Sequence, residues 1–422
     1  MKKTFLLSCL MLAAMPVMAA YTGHVYVDKN KNGVFDQSEK PLAGIKVSDG
    51  LNVVETAADG SFTLPGHERE RFIFITTPSG YKTFNRHYHK IEKKQSGYDF
   101  GLIPYSGRIR KDGSHRYIHI TDTEIFNTEN HADWVNNVHD YARNEQAAFI
   151  IHTGDLCYEK GLKAHIKLMN TENMDCPVFY CIGNHDLVKG KYGEELFESI
   201  YGPVYYSFDA GNVHYVVTPM PGGDHAPGYT SDDVCRWLKN DLAHIRPGTP
   251  VVVFNHDLLT YEDTFIFKSK NAGSINLNEY NLKAWVYGHW HINYMKKQGD
   301  VYSVCTSSLD KGGIDHSTTA FRVMHVDSKG DFTSELRYTY LDKNICIASP
   351  AGVMASGVLP VAVNVYSSVS PVKEVLYTCL ADGKPVLKNK RLLQSTDWSW
   401  NGELPLSDKY VGKELTLQVT AR

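Results

Sequence analysis

Five separate apolar runs in this chain end in residues that bind metals or move protons, and that recurrence restricts the fold more than any bulk property. Residues 117–120 run into Thr121-Asp122-Thr123-Glu124, and 149–151 into His152-Thr153-Gly154-Asp155. Residues 178–182 run into Gly183-Asn184-His185-Asp186, 251–254 into Asn255-His256, and 284–287 into Gly288-His289-Trp290-His291. Short apolar runs bounded in this way read as buried strands. Asp, Glu, Asn and His at a strand's carboxyl end form a ligand composition, not a packing one. In a layered α/β sheet the loops beyond those ends converge on one crevice. A single histidine at a strand end is normally structural, but five such ends in one chain are not independent, so they are expected to build one dinuclear metal site.

The segments between the runs fit that architecture. Residues 132–146 carry Trp134, Val135, Val138, Tyr141 and Ala142 at helical spacing, one apolar face for a sheet. A second helix is expected from Ser231, which caps it, with Asp232 and Asp233 at the positive end and Val234, Trp237, Leu238 and Leu242 as its buried stripe. Residues 204–208 and 213–217, joined through Asp209-Ala210-Gly211-Asn212, read as a β-hairpin. Strands alternating with helices from 108 to 343 imply an α/β domain, a central layered β-sheet flanked by helices.

A chain of 422 residues exceeds one comfortable core. Short strand-like runs at 24–27, 44–47, 61–64 and 72–76, separated by turns such as Asp49-Gly50 and Asp59-Gly60, make 21–107 a small β-sandwich. Helical patterning stops after about 342, and alternating runs at 361–366, 374–379 and 414–420 make 344–422 a second β domain. Trp398 and Trp400 within it are expected to pack in its core or at an interface. Residues 1–20 have the parts of a secretory signal: Met1-Lys2-Lys3, an apolar stretch, then small residues before Ala20. Export to the periplasm or surface of a bacterium is the expectation, with lipoprotein processing at Cys9 as a minor alternative. No stretch is long enough for a transmembrane helix. Losing Lys2 and Lys3 would leave 42 basic against 47 acidic residues and move the formal charge from -3 to -5, which disfavours nonspecific nucleic-acid binding. Seven scattered cysteines follow the leader, an odd number and no disulfide framework. Cys176 and Cys181 are near enough to pair if Pro177 turns the chain.

The stretch from Asp28 to Glu39 places oxygen side chains at loop positions one, three, five, nine and twelve: Asp28, Asn30, Asn32, Asp36 and Glu39. Gly33 falls at position six and the Val34 carbonyl at seven, so the loop matches a calcium-binding pattern. Its flanks read as strand and turn, and a solvated polar turn is the plain alternative. The resemblance here is to calcium loops of bacterial surface modules, in which the ion stiffens a β domain.

The order Asp122-x-Glu124, Gly154-Asp155, Gly183-Asn184-His185-Asp186, a lone His256 and Gly288-His289-x-His291 resembles the calcineurin-like metallophosphoesterases over about 108–342. With β domains at both ends, the chain looks like the exported bacterial members. The resemblance implies two divalent ions, manganese, iron, zinc or magnesium. It implies Asp155 shared between them, Asp122 and His291 on one, and Asn184, His256 and His289 on the other. It further implies hydrolysis of a phosphate mono- or diester by a metal-bridging hydroxide without a covalent phospho-enzyme. His185 would assist catalytically, and Asp186 would orient it from behind. The family pattern usually has histidine where Glu124 stands, so Glu124 is either an anionic replacement ligand or no ligand. The substrate expected is a small phosphorylated molecule or a surface-glycan phosphate, with His225 and the 305–316 stretch (Ser307, Ser308, Asp310, Lys311, His316) near the mouth. The competing expectation is a noncatalytic surface or glycan-binding module with a degenerate metal site. Oligomeric state is not legible.

Overall fold

The computed structural model describes residues 20–315, 317–352, 356–368, 370–396 and 398–422. Residues 1–19, where the secretory signal and Cys9 were expected to act, and His316 lie outside the described residues.

The centre of the molecule is two sheets face to face. One runs Val178–Tyr180, Phe149–His152, His115–Ile120, Ala320–Val326, Phe332–Tyr338. The other runs Tyr206–Ala210, Val213–Val217, Val251–Phe254, Leu282–Tyr287, Val301–Cys305, Tyr294–Gln298. The pairs that carry the five motifs are parallel: His115–Ile120 with Phe149–His152, that strand with Val178–Tyr180, and Val251–Phe254 with Leu282–Tyr287. Parallel pairing points all their carboxyl ends the same way, which is why the motif loops meet.

Side chains alternate across a strand, and here the alternation sorts residues between two cores. Tyr117, Phe149 and Ile151 point inward to meet Tyr215, Val217 and Phe254 of the facing sheet. Ile118, Ile120 and Ile150 point outward onto Trp134, Val138 and Ala142 of the helix Ala132–Asn144. The inner layer is aromatic: Phe179 stacks on Phe208 at 3.7 Å between centroids and Tyr117 on Phe149 at 4.7 Å. Trp237, Leu238 and Leu242 of the helix Ser231–Ala243 cover the other sheet. The cap of that helix is Thr230, not Ser231: the Thr230 hydroxyl accepts from the Asp233 N–H while Asp233 reaches back to the Thr230 N–H. This reciprocal pair satisfies two otherwise orphaned donors, which a serine one residue further on would not. The expected hairpin is present as Tyr206–Ala210 against Val213–Val217.

Cys176 and Cys181 are both free and buried, which corrects the pairing considered above. They flank the strand Val178–Tyr180 at an odd separation, so Cys176 enters the helix-side core and Cys181 the inter-sheet core.

On the N-terminal side two small sheets enclose Val25, Phe62, Leu64, Ile73, Ile75, Phe100 and Leu102. This unit is bonded to the central layers at several points. Asp209 N–H donates to the Thr77 carbonyl at 2.9 Å. Arg71 pairs with Glu194 at 2.8 Å and Glu198 at 2.9 Å, and Arg69 with Asp233 at 2.9 Å. At the other end two sheets enclose Val361, Val363, Val375, Tyr377, Leu392 and Trp400. Trp400 is core as expected, and Trp398 packs beside Tyr338 and Tyr366. The fold is thus the expected α/β layered domain with all-β units at both ends.

Candidate metal centre

The loops after the five strand ends bring eight side chains together. Ligating atoms of Asp122, Glu124 and His291 lie within 4.8 Å of one another, and so do those of Asp155, His256 and His289. Glu124, Asp155 and His185 form a third such group, which joins the first two. His291 Nε2 stands 3.2 Å from Asp122 Oδ1 and 3.4 Å from Glu124 Oε1. His256 Nε2 stands 3.1 Å from Asp155 Oδ2 and 3.1 Å from Asn184 Oδ1. The other face of the His256 ring is fixed, because Nδ1 meets the Thr153 carbonyl at 2.6 Å.

The backbone is bent to allow this. Asp122, Glu124, Asp155, His289 and His291 have φ of 51°, 43°, 56°, 66° and 48°. That left-handed region costs a residue with a Cβ roughly 1–2 kcal/mol, and such outliers gather at functional sites. Gly154 and Gly183 permit the closest approach: a Cβ on Gly154 would sit 2.4 Å from His256 Nδ1, and one on Gly183 would sit 2.2 Å from Asp155 Oδ1.

The donors suit divalent cations. Asp122 is fully buried; its Oδ2 accepts from Thr121 Oγ1 and the His289 N–H, and its Oδ1 faces His291 Nε2 at 3.2 Å. A buried carboxylate is stable only beside a positive charge. Hydrogen bonds to Asp122 and Glu124 push His291 up to about 10, and although burial opposes it, the charge of Asp155 lifts His256 to about 10 as well. Imidazole nitrogens and carboxylate oxygens converging on shared points are the ligand types of manganese, iron and zinc sites.

Glu124 reaches this cluster. Its other oxygen, Oε2, is ion-paired with Lys311. Burial resists ionisation of Glu124, but His291 and Lys311 hold its carboxyl down at about 2.

The expected orientation of His185 by Asp186 is corrected. Asp186 is fully buried and its carboxylate accepts the N–H groups of Gly183, Asp155 and Leu156, each at 2.9 Å. It therefore ties the second motif loop to the third and has no atom left for the imidazole. The residue behind His185 is Asp224, whose Oδ2 lies 2.8 Å from His185 Nδ1. Sequence reading passed over Asp224 and named its neighbour His225. The available signal was Gly222-Gly223: a Cβ on Gly223 would lie 2.5 Å from the Asn184 carbonyl oxygen, so that loop must press against the third motif. Asn255 is not part of the cluster, since its amide donates to the Thr218 and Pro219 carbonyls. Within 305–315, Ser308 Oγ donates to the Asp122 carbonyl at 2.6 Å and Ser307 bonds the Thr318 carbonyl. These are buttresses, and Lys311 alone of the named group touches a cluster side chain.

The crevice has a volume of about 610 Å³, and Glu124, Asp155, His185, Asp257, His289 and His291 are among its walls. In the N-terminal loop, Asp28 and Glu39 are buried. Asp28 accepts the Asn32 and Gly33 N–H groups, and Glu39 those of Lys29 and Asp36. The amides of Asn30 and Asn32 donate to Asp36 Oδ2.

Residues 115–293 match the family model for calcineurin-like phosphoesterase, and 29–104 match the one for the N terminal of calcineurin-like phosphoesterase. The chain belongs to the calcineurin-like phosphoesterase family. Among curated proteins it is similar to purple acid phosphatase 13 of Arabidopsis thaliana, with 26% identity over 215 residues. That match spans 48% of this chain and 36% of the relative. Solved structures of similar shape include a novel archaeal phosphodiesterase (12% identity, 53% of this chain and 99% of that chain, TM-score 0.27). Another is vacuolar protein sorting 29 from Cryptosporidium parvum (10% identity, 67% and 99%, TM-score 0.27). All five strand-end motifs, from Asp122 to His291, fall within the matched segment 115–293.

Proposed function

We propose that this chain hydrolyses a phosphate ester with two divalent ions held by Asp122, Glu124, Asp155, Asn184, His256, His289 and His291. The observation that carries the reading is the pair of donor clusters joined through Asp155 and Glu124 in one crevice. Asp155 is suited to both ions, Asp122 and His291 to one, and Asn184, His256 and His289 to the other, with Glu124 as an anionic ligand on the Asp122 side. Divalent ions there would acidify water and offset phosphoryl charge.

The protein's own groups do the rest. His185 lines the crevice, and Asp224 holds its Nδ1, leaving Nε2 to donate toward the phosphoryl or leaving oxygen. Asp186 keeps the Asp155 and Asn184 loops in register through three backbone bonds. Lys311 holds Glu124 from the side away from His291.

Export remains part of the proposal on the composition of residues 1–20, as do the division at 21–107, 108–343 and 344–422 and a calcium ion at the Asp28–Glu39 loop. The deciding experiment uses p-nitrophenyl phosphate and bis-p-nitrophenyl phosphate. Protein stripped of metal and reloaded with manganese is compared with His256→Ala. Turnover that requires both metal and His256 is expected, and the better ester identifies a monoesterase or a diesterase. Folded protein inert with manganese, iron, zinc and magnesium would refute the reading.

A further inference from the structure

Aromatic rings are normally spent on cores, yet three of the four exposed ones among the described residues stand around this crevice. Phe126 is 55% exposed, Tyr158 40% and Tyr261 72%. Tyr261 stacks on Trp290 with centroids 5.8 Å apart and planes 29° from parallel. The Trp290 ring cannot turn away, because its Nε1–H donates to Asp257 Oδ1 at 3.0 Å and its edges pack on Tyr287 at 5.2 Å and Tyr294 at 5.9 Å. This plate is part of the catalytic loops themselves: Trp290 lies between His289 and His291, and Asp257 follows His256. Leu258, Ile292 and Ile314 continue the wall, with Ile314 itself 76% exposed. Across the crevice Tyr158 packs on His185 at 5.1 Å and carries Phe126 stacked at 5.9 Å.

The charges around the plate narrow what it takes. Glu124, Asp155 and Asp257 line the crevice, Asp224 backs His185, and neither lysine nor arginine is among the lining residues. Lys311, which reaches Glu124 at the crevice, is already paired with it. Beyond His185 and the ligand histidines, the charged groups lining the crevice are carboxylates, so a second anionic group on the substrate, as in a polyphosphate or a nucleic-acid strand, is disfavoured. A sugar would need hydroxyl partners along its edge, but Asp257 Oδ1 beside the plate is already bonded to Trp290 and to the Leu258 N–H. A flat, neutral ring needs no such partners, and stacking on an exposed aromatic is sequence- and substituent-tolerant.

We infer that Tyr261 and Trp290 form a leaving-group subsite, and that the substrate is a single phosphate ester whose leaving group carries a neutral aromatic ring. This rests on the phosphoesterase reading above and specifies its substrate class. Trp290 is bound into the ligand loop, so Tyr261 is the residue to change.

The test compares wild type, Tyr261→Ala and Tyr261→Phe in two ways. In steady-state hydrolysis, the ratio of kcat/KM for phenyl phosphate to that for glycerol 2-phosphate is expected to fall about tenfold in Tyr261→Ala, equivalent to ~1.4 kcal/mol. The loss should appear in KM, and Tyr261→Phe should restore it. In calorimetric titration of the manganese-loaded proteins, phenylphosphonate is expected to bind wild type more tightly than methylphosphonate, with the advantage removed by Tyr261→Ala and returned by Tyr261→Phe. Equal loss on both esters, or no loss, overturns the subsite. If no ester is turned over, the phosphoesterase reading fails and the titration alone decides. Equal binding of the two phosphonates, or none, then overturns the subsite too.

Discussion

Replacing Arg71 with methionine should destabilise the protein in a way that depends on pH. The guanidinium comes from the N-terminal unit and sits between Glu194 and Glu198 of the central domain, 2.8 and 2.9 Å away, with the Tyr192 ring 4.6 Å from its carbon. Both glutamates are buried. Burial raises the Glu198 carboxyl from 4.5 to about 7 even with Arg71 beside it, a difference worth about 3 kcal/mol between its two protonation states. The sign follows from linkage: the folded protein binds the proton more tightly, so this contribution is complete below pH 4.5 and lost as pH rises through about 7. Without Arg71, ionising Glu198 at pH 8 puts an uncompensated charge in the interface. Breaking a buried pair in this way costs about 3–5 kcal/mol. At pH 5 Glu198 is neutral in both proteins and the cost should fall below about 2 kcal/mol. Urea unfolding followed by tryptophan fluorescence, at pH 5 and pH 8, gives both numbers. Adding Glu198→Gln to the variant should recover about half of the loss at pH 8. A cost under about 1 kcal/mol at pH 8, or the same cost at both pH values, would refute the reasoning.

Three further outcomes are expected. Asp224→Asn should lower kcat roughly 10- to 100-fold by freeing the His185 ring, with bound metal by atomic absorption unchanged, and a loss of metal would show that Asp224 acts elsewhere. Gly154→Ala combines a φ of 102° with a Cβ 2.4 Å from His256 Nδ1. It should cost about 2–5 kcal/mol in unfolding and weaken metal retention, and a wild-type melting curve would contradict the geometry. His214 is buried between Asp209 at 2.7 Å and Asp241 at 2.8 Å. Burial opposes its charge, but Asp241 and Asp209 raise its pKa, while His214 holds both carboxyls low against their own burial. The imidazole's contribution is lost as pH rises beyond its ordinary 6.5, and those of the carboxylates as pH falls below their ordinary 3.8. The melting-temperature gap between wild type and His214→Gln should therefore be widest between those limits, and a flat gap across a pH series would argue against the cluster.

The five motif loops were legible because each followed an apolar run, and parallel strands leave one end at which such loops can gather. Residues contributed by loops without a preceding strand signal were not legible. Asp224 sits among glycines, and Tyr261 sits in a polar stretch where a lone tyrosine looks like surface. Asp186 shows the opposite error. Its neighbour in sequence is the proposed catalytic histidine, but the tight Gly183 turn aims its carboxylate at the backbone of the second motif. The helix Glu195–Tyr201 was missed because it spans seven residues, too few for a periodic pattern to stand out. Trp237 was correctly read as core, since Val234, Leu238 and Leu242 form one apolar stripe with it along the helix.

The bonds between the N-terminal unit and the centre bear on how this protein can be divided. Arg71 and Arg69 give that unit two charged contacts with the central domain, and Lys46 supplies a third through the charges of Asp209 and Asp241. Held by a tether, those contacts act at the millimolar effective concentration of an intramolecular encounter. A fragment beginning at 108 would forgo them and leave Glu194, Glu198 and Asp241 to water, so it should behave as half of a split protein. Added back in trans, residues 21–107 would then act as a stoichiometric subunit, its dose setting how much of the larger piece is folded.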